Sequence, residues 1–231
     1  MMHVRKRKEI FHIDGGWFSG DWHFSFDNYN DPENTGFGKL RVFNVDTLIP
    51  GAVWPMHPHQ EMEVITYCTQ GVFEHADDLG NDGLLYPGDV QHTTIGSGMM
   101  HSEINHSKTE PMTFIQVWIF PWKQGLTPRV QQKHVKKEER LNRFTPLVSN
   151  RAPGALPIEQ DAEAFAAAPE SGVQIQKNLE RDQGAYLYLI SGAVLLNGTA
   201  LSPGDAAKVI DEAVAIEATE PSELFILMVP L

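Results

Sequence analysis

Two stretches about half the chain apart carry one pattern. "QGVFEH" followed by "LLYPGDVQ" begins at Gln70, and "SGAVLLNGTALSPGDAAK" begins at Ser191. Each has a glycine that closes a strand, then a hairpin, then Leu-x-Pro-Gly-Asp with a small apolar residue after it. Gly88 and Gly204 are the matching turn glycines. A repeat at this separation implies two copies of one β-domain. The "YPGD" and "SPGD" segments read as turns, because Pro presets φ and Gly tolerates positive φ. They carry no catalytic meaning.

The rest of the chain agrees with a β reading. "KLRVFNVDTLI", "EVITYCTQGVF", "MTFIQVWIFPW", "AYLYLISGAVLL" and "ELFILMVPL" are short, rich in β-branched and aromatic residues, and punctuated by Gly, Pro, Asn and Asp. The best helical candidate, residues 158–172, is short. Many short strands with frequent turns predict barrels or sandwiches. The charged stretch 129–144, "RVQQKHVKKEERLNRF", lacks a strand pattern and is placed as a solvated connector. The expected division is an N-terminal domain over residues 1–130 and a C-terminal domain over residues 131–231.

Composition narrows the function classes. With 18 basic against 30 acidic residues, the net charge of −12 gives no attraction to a phosphate backbone, so direct nucleic-acid binding is disfavoured. The single cysteine, Cys68, lies in an apolar run and reads as a buried small hydrophobe in a reducing compartment. The basic start "MMHVRKRKEIF" lacks the apolar stretch of a secretory signal, and no run approaches the ~20 apolar residues of a membrane helix. A cytoplasmic protein without membrane contact is expected.

The two halves differ sharply in histidine. All ten histidines lie at or before His134, and all five tryptophans at or before Trp122. A metal, if held, belongs to the first half. "MHPHQEMEV" places His57 and His59 two apart, so an extended strand turns both imidazoles to one side, and Pro58 disfavours helix there. "GSGMMHSEINH" places His101 and Glu103 two apart after a Gly-x-Gly turn. Two such pairs on neighbouring strands could close on one ion, and imidazole with carboxylate suits Fe, Mn, Ni, Cu or Zn. His75, His92 and His106 read as hydrogen-bonded structural histidines. His23, in "WHFSF", could line the pocket or sit in the core. Trp54, Met56, Met99 and Met100 read as core or pocket wall.

The spacing resembles the cupin family. Its first motif matches Gly51, His57, His59 and Glu63, with a glycine one residue late at Gly71. Its second matches Gly98, His101 and Asn105, with Gly96 where proline is usual. Taken in order, "SFDNYNDPENTGFGKLRVFNVD", "HPHQEMEVITY", "GVFEHADDLGNDGLLYPGDVQ", "GSGMMHSEIN" and "QVWIFP" resemble the pirin family, a branch of the bicupins. The likeness covers most of residues 24–121 and is weaker beyond.

That resemblance implies an all-β bicupin: two tandem cupin β-barrels of the jelly-roll, or double-stranded β-helix, type. It implies metal ligands His57, His59, His101 and Glu103, with Glu63 set behind them or orienting an imidazole. The Gln60-Glu61 pair departs from the residues often seen after His-Pro-His, which puts substrate preference in doubt. Bacterial pirin-like proteins are associated with quercetin 2,3-dioxygenase activity. The implied function is therefore a metal-dependent oxidoreductase that cleaves a flavonol with O₂ and releases carbon monoxide. Glu103 would act as the base on the flavonol 3-hydroxyl. One divalent transition metal per chain is expected, Fe(II) first, with Mn, Ni, Cu, Zn and Co open, and the C-terminal domain metal-free. The alternatives are a regulatory metal-binding pirin acting through a protein partner, a cupin isomerase, or a dioxygenase for another natural substrate. A monomer is expected, because paired cupin domains already satisfy each other.

Overall fold

In the computed structural model, which describes residues 1–231, the chain folds into strands with two single-turn 3₁₀ helices, Arg7–Glu9 and Lys137–Glu139, and no α-helix. No helix is long and apolar enough to cross a membrane. The chain divides into two units. One comprises Phe11–His134 with Ile158–Gln160, and the other Met1–Ile10, Val135–Pro157 and Asp161–Leu231.

The first unit has a seven-stranded antiparallel sheet in the order Arg129–Lys133, Val90–Thr94, Glu63–Gln70, Met112–Ile119, Leu40–Leu48, Phe18–Trp22, Phe11–Asp14. Its four-stranded sheet runs Val53–His59, Met99–Asn105, Phe73–Asp77, Asp82–Leu85. Alternation aims one face of each strand inward, but this interior is not wholly apolar. One end packs Leu48, Cys68, Phe73, Leu85, Met112 and Phe114. Elsewhere Asn44, Asp46, Thr66 and Gln116 are buried.

The second unit repeats the plan. A six-stranded sheet runs Met2–Arg5, Ala206–Ile210, Gln183–Ser191, Glu223–Pro230, Glu163–Ala167, Thr145–Val148. A four-stranded sheet runs Gln174–Lys177, Val214–Ala218, Val194–Leu196, Thr199–Leu201. Its main core cluster is apolar and includes Phe165, Leu187, Leu189, Val194, Ile216, Ile226 and Met228. Each such side chain taken from water contributes about 1.5–3 kcal/mol. The architecture is the bicupin that the resemblance implies.

Three sequence expectations meet a different structure. The helical candidate 158–172 contains the strand Glu163–Ala167, buried at every position between Glu223–Pro230 and Thr145–Val148. Alanine's helix propensity is a weak preference, and a strand covered on both faces reads as a continuous apolar run rather than an alternation. The connector begins later than residue 129, because Arg129–Lys133 pairs with Val90–Thr94; its polar side chains hide the strand pattern.

The first ten residues belong with the second unit rather than with residues 11–130. Met2–Arg5 adds an edge strand to Ala206–Ile210. Lys6 Nζ and the Arg7 N–H both donate to Asp205, each at 2.9 Å. Conversely, Ile158–Gln160 belongs with the first unit: the Trp122 N–H donates to Glu159 O at 2.9 Å, and Gln160 Nε2 to Phe120 O at 2.6 Å.

Candidate metal centre

The His-Pro-His strand lies at the edge of its sheet. Only there can Pro55 and Pro58 sit in a strand, since proline removes a ladder donor. Its partner is the strand of His101 and Glu103, in the register His101↔His57 and Met99↔His59. The register then slips, and Glu103 pairs with Trp54 rather than with Pro55. This bulge puts one extra residue in the edge strand and reverses its alternation. Trp54, three residues before His57, therefore joins the face that carries His57. Period-two reading of the sequence sets it on the other side.

The bulge also holds an imidazole. His57 Nδ1–H donates to the carbonyl of Pro55 at 2.7 Å, which leaves Nε2 as the nitrogen that could serve a metal. The turn before His101 is fixed by Gly96. Its φ is +52°, and a Cβ would come within 1.9 Å of Leu126 O. Proline, usual there in cupins, cannot adopt that φ, which is why the motif departs from the pattern here.

His57, His59 and His101 converge. One ring nitrogen from each lies within 4.8 Å of the others. Ring centroids are 4.7 Å apart for His57–His59 and His57–His101, and 4.8 Å for His59–His101. His59 also packs edge-on to Trp118 at 4.7 Å. Burial and then the neighbouring His57 push the His59 pKa down to about 4. Burial and then the His59 and His57 imidazoles push His101 down to about 2. Both rings are thus neutral near pH 7, with lone pairs to donate. His101 Nε2 is buried without a hydrogen-bond partner, an orphan that a bound cation would satisfy.

Glu103 stands outside that set of three but lines the same cavity. Its Oε1 accepts from Gln116 Nε2. The amide is oriented by Thr66, whose hydroxyl donates to Gln116 Oε1 at 2.6 Å. Burial, then the nearby Asp46, raises the Glu103 pKa to about 8, against the opposing Gln116 hydrogen bond. Asp46 is itself raised to about 7 by burial, although Trp22 Nε1–H donates to it at 3.1 Å. The cavity measures about 100 Å³. Phe26, Trp54 and Trp118 wall it, and Asn44, Asp46 and Gln116 add polar groups.

The other histidines stand outside this set of three. His75 Nε2 meets Asp77 Oδ2 at 3.0 Å, and the ring lies 5.6 Å from that of His101. His106 pairs at the surface with Glu74. His23 is buried against Phe43, away from the cavity lining. Glu63, the general cupin ligand position, does not join the three imidazoles. Its Oε2 accepts from Thr94 Oγ1 at 3.1 Å and from the Glu159 N–H at 3.2 Å, and lies 2.8 Å from His92 Nε2. Sequence reasoning missed Asn44, Asp46 and Gln116, which sit inside otherwise apolar strands. A polar residue at an inward position was the available signal.

Comparison with known proteins identifies the family. The pirin family model matches residues 3–119, and a model described as the quercetinase C-terminal cupin domain matches residues 147–229. A pirin-like protein of Caulobacter vibrioides is 39% identical, over 93% of each chain. A protein of Escherichia coli K12 named quercetin 2,3-dioxygenase is 34% identical, over 100% of this chain and 99% of its own. The structure of the bacterial pirin YhhW from Escherichia coli in complex with nickel(II) superposes with a TM-score of 0.92 at 33% identity, covering 100% of this chain and 99% of that one. The chain belongs to the pirin family.

Proposed function

We propose that this pirin is a metal-dependent dioxygenase that cleaves flavonol-type 3-hydroxy-4-pyranones with O₂ and releases carbon monoxide. The observation that carries the reading is the meeting of three imidazoles beside a buried carboxyl group in a cavity walled by aromatic rings. The names of the relatives support it.

His57, His59 and His101 would hold one divalent transition ion, with Glu103 as the fourth ligand. Such an ion would polarise the substrate's vicinal oxygens and supply the redox partner that O₂ needs. Fe(II) is the first choice; the nickel complex of the Escherichia coli relative makes Ni(II) its nearest rival. Bound to the ion, Glu103 would stay a carboxylate against the effect of burial, and its Oε2 would then take the 3-hydroxyl proton, because Gln116 holds Oε1. Trp54 and Trp118 flank the ring and keep water from it. In the overall change O₂ adds across C2 and C4, and C3 leaves as carbon monoxide.

The test is anaerobic reconstitution with single metals, followed by quercetin and O₂. The expected result is loss of flavonol absorbance with carbon monoxide release, abolished in Glu103→Ala and His101→Ala. Absence of turnover with every metal would overturn the reading. It would favour the rival one, a regulatory pirin whose protein partner meets the outer side of the His-Pro-His strand, where Val53 and Met56 are exposed.

A further inference from the structure

The unit that holds the three convergent imidazoles also holds all five tryptophans of the chain, and the other unit holds none. Two of these indoles stand in an unbroken run of rings that starts at the centre. His59 packs on Trp118 with centroids 4.7 Å apart, Trp118 meets Phe26 at 5.4 Å, and Phe26 meets Trp22 at 5.1 Å. Trp22 then meets Phe11 at 5.9 Å, and Phe11 stacks on Tyr29 at 4.4 Å. The run passes through Trp22, which is buried, and ends at Tyr29, which is partly open to solvent.

The last part of the run is held by its own loop. Phe26 and Tyr29 exchange backbone hydrogen bonds of 3.0 and 2.8 Å, and Ser25 Oγ donates to Asp31 O at 2.7 Å.

Contact between rings is ordinary core packing. What distinguishes this run is the position of its acids. Trp22 Nε1–H donates to Asp46 Oδ1 at 3.1 Å, and the Tyr29 hydroxyl donates to Asp31 Oδ2 at 3.2 Å. Indole and phenol are the ring side chains that give up one electron most readily. The oxidised ring is a far stronger acid than the parent, so a base at its N–H or O–H eases the loss. Trp22 and Tyr29 both have that base. Trp118 does not: its Nε1–H is buried without a partner, so a positive charge there has no proton outlet and moves on to Trp22. Phe26 and Phe11 are too hard to oxidise to hold the charge, and they bridge the gaps between the rings that can.

We infer that this run is a one-electron relay, through which Tyr29 supplies an electron to the metal centre when peroxide from incomplete reduction of O₂ is consumed there. Hydrogen peroxide takes two electrons and two protons to become two waters. The ion gives one electron by rising one oxidation state. Tyr29 gives the other by way of Trp22 and Trp118. Its phenolic proton goes to Asp31, which leaves a neutral tyrosyl radical, and the two protons used at the centre come from solvent. A thiol restores the phenol by giving up a hydrogen atom, and Asp31 returns its proton to solvent. The oxidising charge thus leaves the ligands and settles where a reductant can reach it. This rests on the metal-binding part of the reading above and is independent of the flavonol.

The test mixes the Fe(II)-loaded protein with hydrogen peroxide under anaerobic conditions, freezes it at once and records electron paramagnetic resonance. The wild type should give a tyrosyl signal that narrows when the protein is made with ring-deuterated tyrosine. Tyr29→Phe, which keeps the stack on Phe11, should lose the signal, and Trp22→Phe should weaken it severalfold. Peptide mass spectrometry of the same samples should find more oxidised His59 and Trp118 in Tyr29→Phe than in the wild type. A signal at full strength in Tyr29→Phe or in folded Trp22→Phe, equal oxidation of His59 and Trp118 in Tyr29→Phe and wild type, or no protein radical from the wild type would overturn the relay and leave the dioxygenase reading intact. A Tyr29 radical without flavonol cleavage by any metal form would overturn only the dioxygenase reading. Failure to bind any divalent transition ion would overturn both.

Discussion

At corresponding places in their four-stranded sheets, the two units pair different side chains. In the first, His101 faces His57 across antiparallel strands. In the second, Ile216 faces Ile175. The large sheets differ in the same way. Across three adjacent strands the first unit aligns Thr66, Gln116 and Asn44. The second aligns Leu187, Ile226 and Phe165. One backbone plan thus carries a polar row in the first unit and an apolar row at the matching place in the second. A barrel fold does not itself supply a site. The site needs imidazoles at the edge pair and polar groups opposite them, and the second unit has isoleucine, leucine and phenylalanine at those positions.

The largest expected effect comes from breaking the edge pair of the first unit. His101→Ala should lower affinity for the bound ion by more than about a thousandfold, because it removes one of three convergent donors and alanine brings no ligand atom in its place. Metal content by mass spectrometry should fall from one ion per chain to none. Two ions per chain in the wild type would refute the contrast between the units.

Next comes the row in the large sheet. Phe165→Ala should cost about 3–5 kcal/mol of stability, since a filled core cannot close over the gap. Gln116→Leu should cost less, about 1–3 kcal/mol, by leaving the Thr66 hydroxyl and Glu103 Oε1 without their shared partner. Activity should order the two oppositely: Gln116→Leu should depress it strongly, while Phe165→Ala should leave it near wild type at temperatures where the variant is folded. Equal effects on stability would mean that the two interiors are less different than their side chains imply.

Much of this contrast is legible in the sequence. The Leu-x-Pro-Gly-Asp repeat gives two β-domains, and two His-x-(His/Glu) pairs contain the three imidazoles that converge and the carboxyl group that lines the cavity beside them. What escapes is set by distant partners. The bulge that turns Trp54 inward depends on how the edge strand registers against Met99–Asn105. Glu63 fits a ligand motif by spacing, yet its strand turns it towards His92 and Thr94. The strand Glu163–Ala167 looks helical because its alanines show no alternation when both faces are covered. Residues 1–10 give no sign of the sheet they join, since an edge strand of four residues has too little pattern to read.

The smallest expected effect concerns the repeat itself. Asp89 and Asp205 each fold back to accept a backbone N–H three residues earlier, from Tyr86 and Ser202, both at 2.9 Å. Their remaining partners differ. Asp89 Oδ1 meets His134 Nδ1 at 2.6 Å, while Asp205 accepts the Arg7 N–H on Oδ1 and Lys6 Nζ on Oδ2 beside the Ser202 N–H. Burial pushes the Asp205 pKa up, but Lys6 and the backbone donors of Ser202 and Arg7 outweigh it, so the carboxyl lies below its ordinary range. A depressed carboxyl contributes stability above its unfolded pKa and loses it as pH falls through the folded one. Asp205→Asn should therefore lower stability by about 1 kcal/mol at neutral pH, with the difference from wild type shrinking below about pH 4. Hydrogen exchange should quicken in Met2–Arg5, whose strand Lys6 and Arg7 fasten through Asp205, and stay unchanged in Arg129–Lys133, which leads to His134 at the other turn. Faster exchange in both strands would show that the two turns are coupled rather than independent copies of one device.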